Sequence, residues 1–259
     1  NTDFSPGAVA ATCGGKQALF NAACTILNPG DELLIPTPYW VTFPAFGSFC
    51  RAKNVFIETE DTDFVLTADQ VREAITNKTK LLIINSILHN PTGTSLSAAK
   101  AFQLLRLAEQ YGFLIVEDDI YGDLAPPGHP GTRLASLDQL RRVIYLSSFS
   151  KTLAANLRVG FIACHPELAK NLVDGKLLTG LVTPEINERV LYKILTEGHY
   201  RKHVERIRAR LDRARDGVQR SLERMGLKLF AQQGAGMFLW ADTGQDTNAI
   251  ARAGHEQGY

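Results

Sequence analysis

The sequence predicts an α/β fold, with a mostly parallel sheet flanked by helices. Strand-like and helix-like stretches alternate along the first two-thirds of the chain, the pattern of βαβ units. Runs such as Leu81 to Ile84, Phe113 to Val116 and Val143 to Leu146 are continuously apolar, as strands covered on both faces are. Segments carrying Ser, Asp, Asn and Gly follow these runs, and in doubly wound sheets ligands gather at the carboxyl ends of strands. The 259 residues are 45% hydrophobic and 21% charged, an ordinary globular composition. Lys+Arg 28 against Asp+Glu 27 gives no support to a general polyanion binder. No apolar run approaches the ~20 residues that span a bilayer, and no secretory signal opens the chain. Cys13, Cys24, Cys50 and Cys164 form no CxxC pair, which suits a reducing, cytoplasmic setting.

The elements follow in order. Residues 16–28 carry Ala18, Leu19, Ala22, Ala23, Ile26 and Leu27 on a helical face, which Asn28-Pro29-Gly30-Asp31 stops. Glu32 to Pro36 and Val55 to Ile57 read as strands. Thr67 caps the next helix, with Gln70 completing a capping box. After the strand Leu81 to Ile84, Ser97 caps a helix through Leu104, Leu105 and Leu107 that Gly112 ends. Phe113 to Val116, Val143 to Leu146 and Val159 to Ala163 supply further strands. Beyond about residue 165 the pattern turns helical, with Thr183 capping a helix that Pro184 opens. A long helix over 199–226 has Val204, Ile207, Leu211, Ala214, Val218, Leu222 and Met225 along one face. Leu227 to Phe230 and Met237 to Trp240 read as strands of a new unit. The chain starts at Asn1 without a Met and stops at Tyr259 just after a helical pattern begins, so a fragment is expected.

Four segments carry candidate chemistry. Gly14-Gly15-Lys16 opens a helix, whose free N–H groups and dipole favour an anion such as phosphate; alone, such a pair is more often just a turn. Val116-Glu117-Asp118-Asp119-Ile120-Tyr121 ends a strand in acids suited to metal binding, acid–base work or pairing with a cationic ring nitrogen, or to capping a helix. Ser147-Ser148-Phe149-Ser150-Lys151-Thr152 offers hydroxyls for phosphate and a Lys that, in a partly desolvated cleft, forms Schiff bases with carbonyls. Arg158, seven residues on, is a candidate bidentate phosphate clamp. Asn90-Pro91-Thr92-Gly93 by itself signals a turn.

Together and in this order, these segments resemble the fold-type-I pyridoxal-phosphate (PLP) enzymes, specifically the class I/II aminotransferases, through nearly the whole chain. The resemblance implies a PLP-binding large domain over residues 1–198. Residues 199–259 would be a linking helix and the start of a small α+β domain. It implies that Lys151 forms the Schiff base with PLP and moves the substrate proton, that Asp118 pairs with the pyridinium nitrogen, and that Tyr121 and Asn90 bond the phenolic oxygen. Gly14, Gly15 and Lys16, with Ser148, Ser150 and Arg158, would hold the phosphate, and Trp40 would stack on the ring; Tyr39 is read as structural. The substrates implied are an α-amino acid and a 2-oxo acid, in a homodimer. The Arg that grips the substrate carboxylate, and the N-terminal arm that completes the neighbouring site, are expected outside residues 1–259.

The sequence departs from the family pattern in places. Arg158 follows Lys151 by one residue fewer than is common in aspartate aminotransferases, and the Pro often found before the Asn-Pro-Thr-Gly turn is absent. Gly-Gly-Lys-Gln-Ala-Leu through Pro-Tyr-Trp is similar to the bacterial aspartate-type subgroup. Residues 87–163 are closer to MocR-type regulators and aminoadipate-aminotransferase relatives. Two alternatives therefore stand: a PLP-binding effector domain of a MocR-type transcription regulator, and a PLP lyase or decarboxylase. In the first, a missing N-terminal domain would bind DNA. The nine Lys+Arg against four Asp+Glu of residues 199–226 are read as a solvated helix face rather than a nucleic-acid contact.

Overall fold

The computed structural model describes residues 4–230 and 234–258. One seven-stranded sheet organises the chain: β1 (Val9–Thr12), β2 (Glu32–Thr37), β3 (Lys53–Glu58), β4 (Thr79–Ile84), β5 (Leu114–Asp118), β6 (Val143–Ser148) and β7 (Gly160–Ala163). Their order is β1-β7-β6-β5-β4-β2-β3. β7 runs antiparallel to both its neighbours, whereas β6, β5, β4, β2 and β3 pair in parallel. The predicted fold class is therefore observed.

Helices bury both faces. On one side α1 (Gly15–Ile26), α2 (Phe43–Phe49) and α6 (Pro166–Gly180) enclose a core with Leu19, Phe43, Phe46, Val116, Leu146 and Leu172. On the other, α3 (Ala68–Ala74), α4 (Ala98–Tyr111) and α5 (Leu134–Asp138) cover Leu34, Leu82, Leu104, Phe113 and Ile115. Residues 115 and 116 thus belong to opposite cores, as strand alternation requires. The caps read from sequence at α3 and α4 form: the Thr67–Gln70 capping box is complete, and Ser97 accepts from the Lys100 N–H. Gly112 ends α4 at φ 76°, a left-handed position that suits glycine.

Several boundaries differ from the sequence reading. Thr183 does not cap α7 (Glu185–Thr196); Pro184 itself is the N-cap, with no side-chain cap, because the helix starts one residue later. α8 (His199–Arg224) is buried at Val204, and Ile207 and Leu211 pack against an apolar cluster of Leu88, Tyr121 and Leu124. Val218 and Met225 on the same stripe are exposed, so that stripe is covered only over its first half. β8 (Lys228–Phe230) pairs antiparallel with β9 (Trp240–Asp242), which lies three residues beyond the predicted start at Met237. The chain turns at Gly236, φ 81°, and Phe238 is drawn onto Tyr121 instead. α9 (Thr247–Glu256) follows, capped by Asp246. Among the described residues, no helix is long and apolar enough to cross a membrane.

Candidate active site

The carboxyl edge of the sheet collects the candidate residues. β1 delivers Thr12 to this edge, and the chain turns into α1 at Gly14, whose φ of 77° suits glycine. Gln17, in the first turn, reaches back to accept the Cys13 N–H at 2.8 Å, fixing the entry to the helix. The N–H groups of the first turn have no intrahelical acceptor and point out of the helix end. Arg158, in left-handed backbone at φ 52°, lays its guanidinium over Gly14 and donates from Nη2 to the Cys13 carbonyl at 2.8 Å. A Cβ on Gly14 would lie 2.9 Å from that Nη2. Ser148 closes β6; its Oγ hydrogen-bonds Ser150 Oγ at 2.9 Å and accepts the Ser150 N–H at 3.2 Å. Its Cβ lies 3.4 Å from where a Cβ on Gly15 would stand. Gly14, Gly15, Ser148, Ser150 and Arg158 thus enclose one helix N-terminus, with two hydroxyls, a guanidinium and bare backbone. That donor set suits a phosphate.

The other half of the site lies at the ends of β4 and β5. Asp118 ends β5 at 2% exposure, and its Oδ1 has no hydrogen-bond partner among the described residues. Burial raises its carboxyl to about 7, against hydrogen bonds from Asn85 and the Ile120 N–H that lower it. A buried carboxylate oxygen without a partner is costly, so this position calls for a cationic N–H donor, such as a protonated ring nitrogen. Asn85 also donates from Nδ2 to the Asp118 carbonyl at 2.9 Å, tying the end of β4 to that of β5. Tyr121, three residues on, is buried, and its hydroxyl accepts from Asn90 Nδ2 at 3.2 Å. The Asp-x-x-Tyr and Asn-Pro-Thr-Gly segments therefore meet.

Trp40 packs edge-on against Phe43 at 5.6 Å, and Lys16 Nζ stands 5.4 Å from its ring centroid. Tyr39 stacks on Phe56 at 5.3 Å. Lys151 is exposed on the connection from β6 to β7, without a hydrogen bond or ion pair among the described residues. The desolvated cleft considered from sequence is not built around it by these residues.

Three supports escaped the sequence reading. Asn85 was one; the signal was a polar residue directly after an apolar strand. Glu117 is fully buried, and its carboxylate accepts the N–H groups of Leu134 and Ala135, each at 2.8 Å, so it caps α5 across the sheet. Burial and the neighbouring Asp119 raise its carboxyl to about 7. Asp119, also buried, holds Arg133 in an ion pair and accepts from Tyr145 Oη at 2.7 Å. The acid run was visible in sequence; the partners, 14 to 26 residues away, were not. The four cysteines are free thiols, yet Cys24 and Cys50 bring their sulfurs to 3.9 Å.

A doubly wound sheet with a phosphate-type cradle at one helix N-terminus, and a buried carboxylate with one oxygen free on the same edge, offers the donor and acceptor set that a PLP enzyme uses. The family model for aminotransferase class I and II matches residues 1–256, and the chain belongs to that family. Its cofactor is pyridoxal 5′-phosphate. Aromatic-amino-acid aminotransferase 1 of Thermococcus litoralis is 31% identical over 239 residues, covering 89% of this chain and 57% of that protein. Aspartate/prephenate aminotransferase of Thermus thermophilus is 34% identical over 253 residues, covering 95% and 63%. Among solved structures, Pyrococcus horikoshii kynurenine aminotransferase in complex with PMP superposes with a TM-score of 0.88 at 28% identity, covering 96% of this chain and 64% of that one. The chain thus spans less than two-thirds of the length of these relatives.

Proposed function

We propose that this chain carries the cofactor-holding part of a PLP-dependent aminotransferase, which moves an amino group between an α-amino acid and a 2-oxo acid. The observation that carries the reading is the unpartnered Oδ1 of the buried Asp118 carboxylate, on the same sheet edge as the Gly14–Arg158 cradle. Gly14, Gly15, Lys16, Ser148, Ser150 and Arg158 bind the phosphate. Asp118 accepts the ring N–H and keeps that nitrogen protonated, relieving its own unpaired burial. Asn90 and Tyr121 orient the ring through its phenolic oxygen, and Trp40 covers a face. Bound there, the cofactor supplies a cationic ring that stabilises negative charge developing at the substrate Cα. Lys151 would hold the cofactor through its amine and would move the proton between the substrate Cα and the cofactor's C4′ carbon, its position on the sheet edge providing proximity.

Relatives named as aspartate, prephenate and aromatic-amino-acid aminotransferases favour amino-group transfer over a regulator domain or a lyase. They make acidic and aromatic amino acids the first donors to try. A homodimer, a cytoplasmic setting, and a division into a large domain over 1–198 and a second unit over 199–259 belong to the same reading.

Borohydride reduction of the holoenzyme, followed by peptide mapping, should put the cofactor on Lys151. A visible band that changes on adding an amino acid and returns with 2-oxoglutarate is the expected signature. Reducible attachment that persists in Lys151→Ala would sink the assignment, and ammonia or CO₂ release without recovery would favour the lyase.

A further inference from the structure

The connection between β6 and β7 carries Lys151 near its start and Arg158 near its end, and it is held from outside at two points. At the Arg158 end, Asn187 of α7 donates from Nδ2 to the Leu157 carbonyl at 2.9 Å. At the Lys151 end, the hold comes from α8. Tyr200 Oη lies 2.9 Å from Oγ1 of Thr152, the residue after Lys151, and 2.7 Å from Asp123 Oδ2. Thr152 is 1% exposed, and the Tyr200 ring packs edge-on against Phe149 at 5.6 Å, so the turn bearing Lys151 is gripped on both sides. Asp123 follows Tyr121 by two residues. Its backbone carbonyl accepts Arg208 Nε and Nη2 at 2.9 and 2.6 Å, and its Oδ1 accepts Arg133 Nη2 at 3.3 Å. One phenol therefore joins the turn that holds Lys151, the turn that holds Tyr121, and α8.

We infer that Tyr200 is a positioning residue for Lys151: through Thr152 and Asp123 its hydroxyl fixes where the Lys151 amine stands relative to Tyr121. Its hydroxyl is engaged by Thr152 and Asp123, so it acts through the Lys151 turn and not by touching the reacting atoms. The inference rests on Lys151 being the tethering amine and proton carrier proposed above. A proton carrier must approach two atoms in turn, so small errors of placement fall on proton transfer rather than on binding. The third turn of α8 is tied to the same Asp123 by Arg208, so a shift of α8 is passed directly to the Lys151 turn.

The test is Tyr200→Phe in the holoenzyme, which keeps the ring against Phe149 and removes the oxygen alone. Thr152→Val removes the other end of the hydrogen bond at nearly constant volume. Each should lower kcat roughly five- to tenfold, about what one hydrogen bond sets, with KM for the amino acid within twofold. The deuterium isotope effect with Cα-deuterated amino acid should rise. A merely structural loss would reduce the active fraction and leave that isotope effect unchanged. The double variant should fall no further than either single one. Unchanged kcat and isotope effect in Thr152→Val, or additive losses in the double variant, would overturn the inference, even if Tyr200→Phe folds poorly. If the wild-type protein shows no borohydride-reducible band, or the reduced cofactor maps away from Lys151, the underlying functional reading fails instead.

Discussion

Gly160→Ala tests how the cradle is supported. Gly160 opens β7 and packs against the turn at Gly14. A Cβ built there would meet Ser147 O at 2.8 Å, Gly14 C at 2.9 Å and Gly14 Cα at 3.0 Å. All three are backbone atoms, so no flexible side chain can swing aside. Ordinary contact begins at 3.4 Å, and the methyl must open the β7–Gly14 gap by about half an ångström. Overpacking of this kind costs about 1–3 kcal/mol. We expect about 2 kcal/mol, or about 4–8 °C in Tm for a chain of this size, in urea or thermal denaturation without cofactor. Cofactor must be left out because binding adds its own stability. The displaced atoms belong to the phosphate cradle, so the PLP dissociation constant should rise roughly tenfold as well. Gly175→Ala is the matched control: its Cβ would meet only Thr25 Oγ1 at 3.6 Å, inside α6, where alanine favours helix by about 1 kcal/mol. If Gly160→Ala proves as stable as wild type, or loses stability with cofactor affinity intact, the claim that Gly160 shapes the cradle is wrong.

Other expectations follow from buried charge and caps. The Asp118 carboxyl is raised from 3.8 to about 7, so between those values the native state binds more protons than the unfolded chain. Its contribution to stability is therefore present below the lower value and lost as pH rises to about 7. Asp118→Asn should make the cofactor-free protein more stable at pH 7 and flatten its stability between pH 4 and 7, measured by denaturant titration at each pH, while weakening transamination. Arg133→Met leaves Asp119 buried without its cation and should destabilise by about 3 kcal/mol, as read from urea midpoints; a change below a third of that would show that Tyr145 suffices alone. Thr67→Ala breaks the capping box and should cost about 1 kcal/mol in the same assay, with cofactor affinity unchanged.

The sheet was legible because its central strands are buried on both faces, so apolar runs such as Leu81 to Ile84 mark them without ambiguity. β1 was missed because Val9–Thr12 is only four residues long and three of them are partly exposed. α2 was missed because Phe43-Pro44-Ala45-Phe46-Gly47 contains both common helix breakers, and burial of Phe43 and Phe46 overrides their propensity. The candidate residues were legible as motifs because backbone requirements fix them locally: a left-handed Gly14, an acid at a strand end, hydroxyls after another. The contacts that hold those residues were not legible. Glu117 with α5, Asp119 with Arg133 and Tyr145, and Tyr200 with Thr152 each join positions that only the folded topology makes neighbours, and a single sequence does not encode such pairs by spacing.

The reversed strand β7 has a consequence for how this protein can vary. A parallel strand would have carried the chain away over a crossover helix. Here the stretch after Ser148 is an arch with both feet in one sheet, since Ser148 lies opposite Gly160 in the ladder. Sliding either foot by one residue would turn every side chain of that strand to the opposite layer, so the ladder cannot absorb a change in loop length. An insertion or deletion between the feet must be taken up within the arch itself, altering the separation of Lys151 and Arg158 while the rest of the fold stands still. Length polymorphism in this one loop is thus a tuning dial for the spacing between amine and phosphate clamp. The seven-residue interval in this chain is one setting of it.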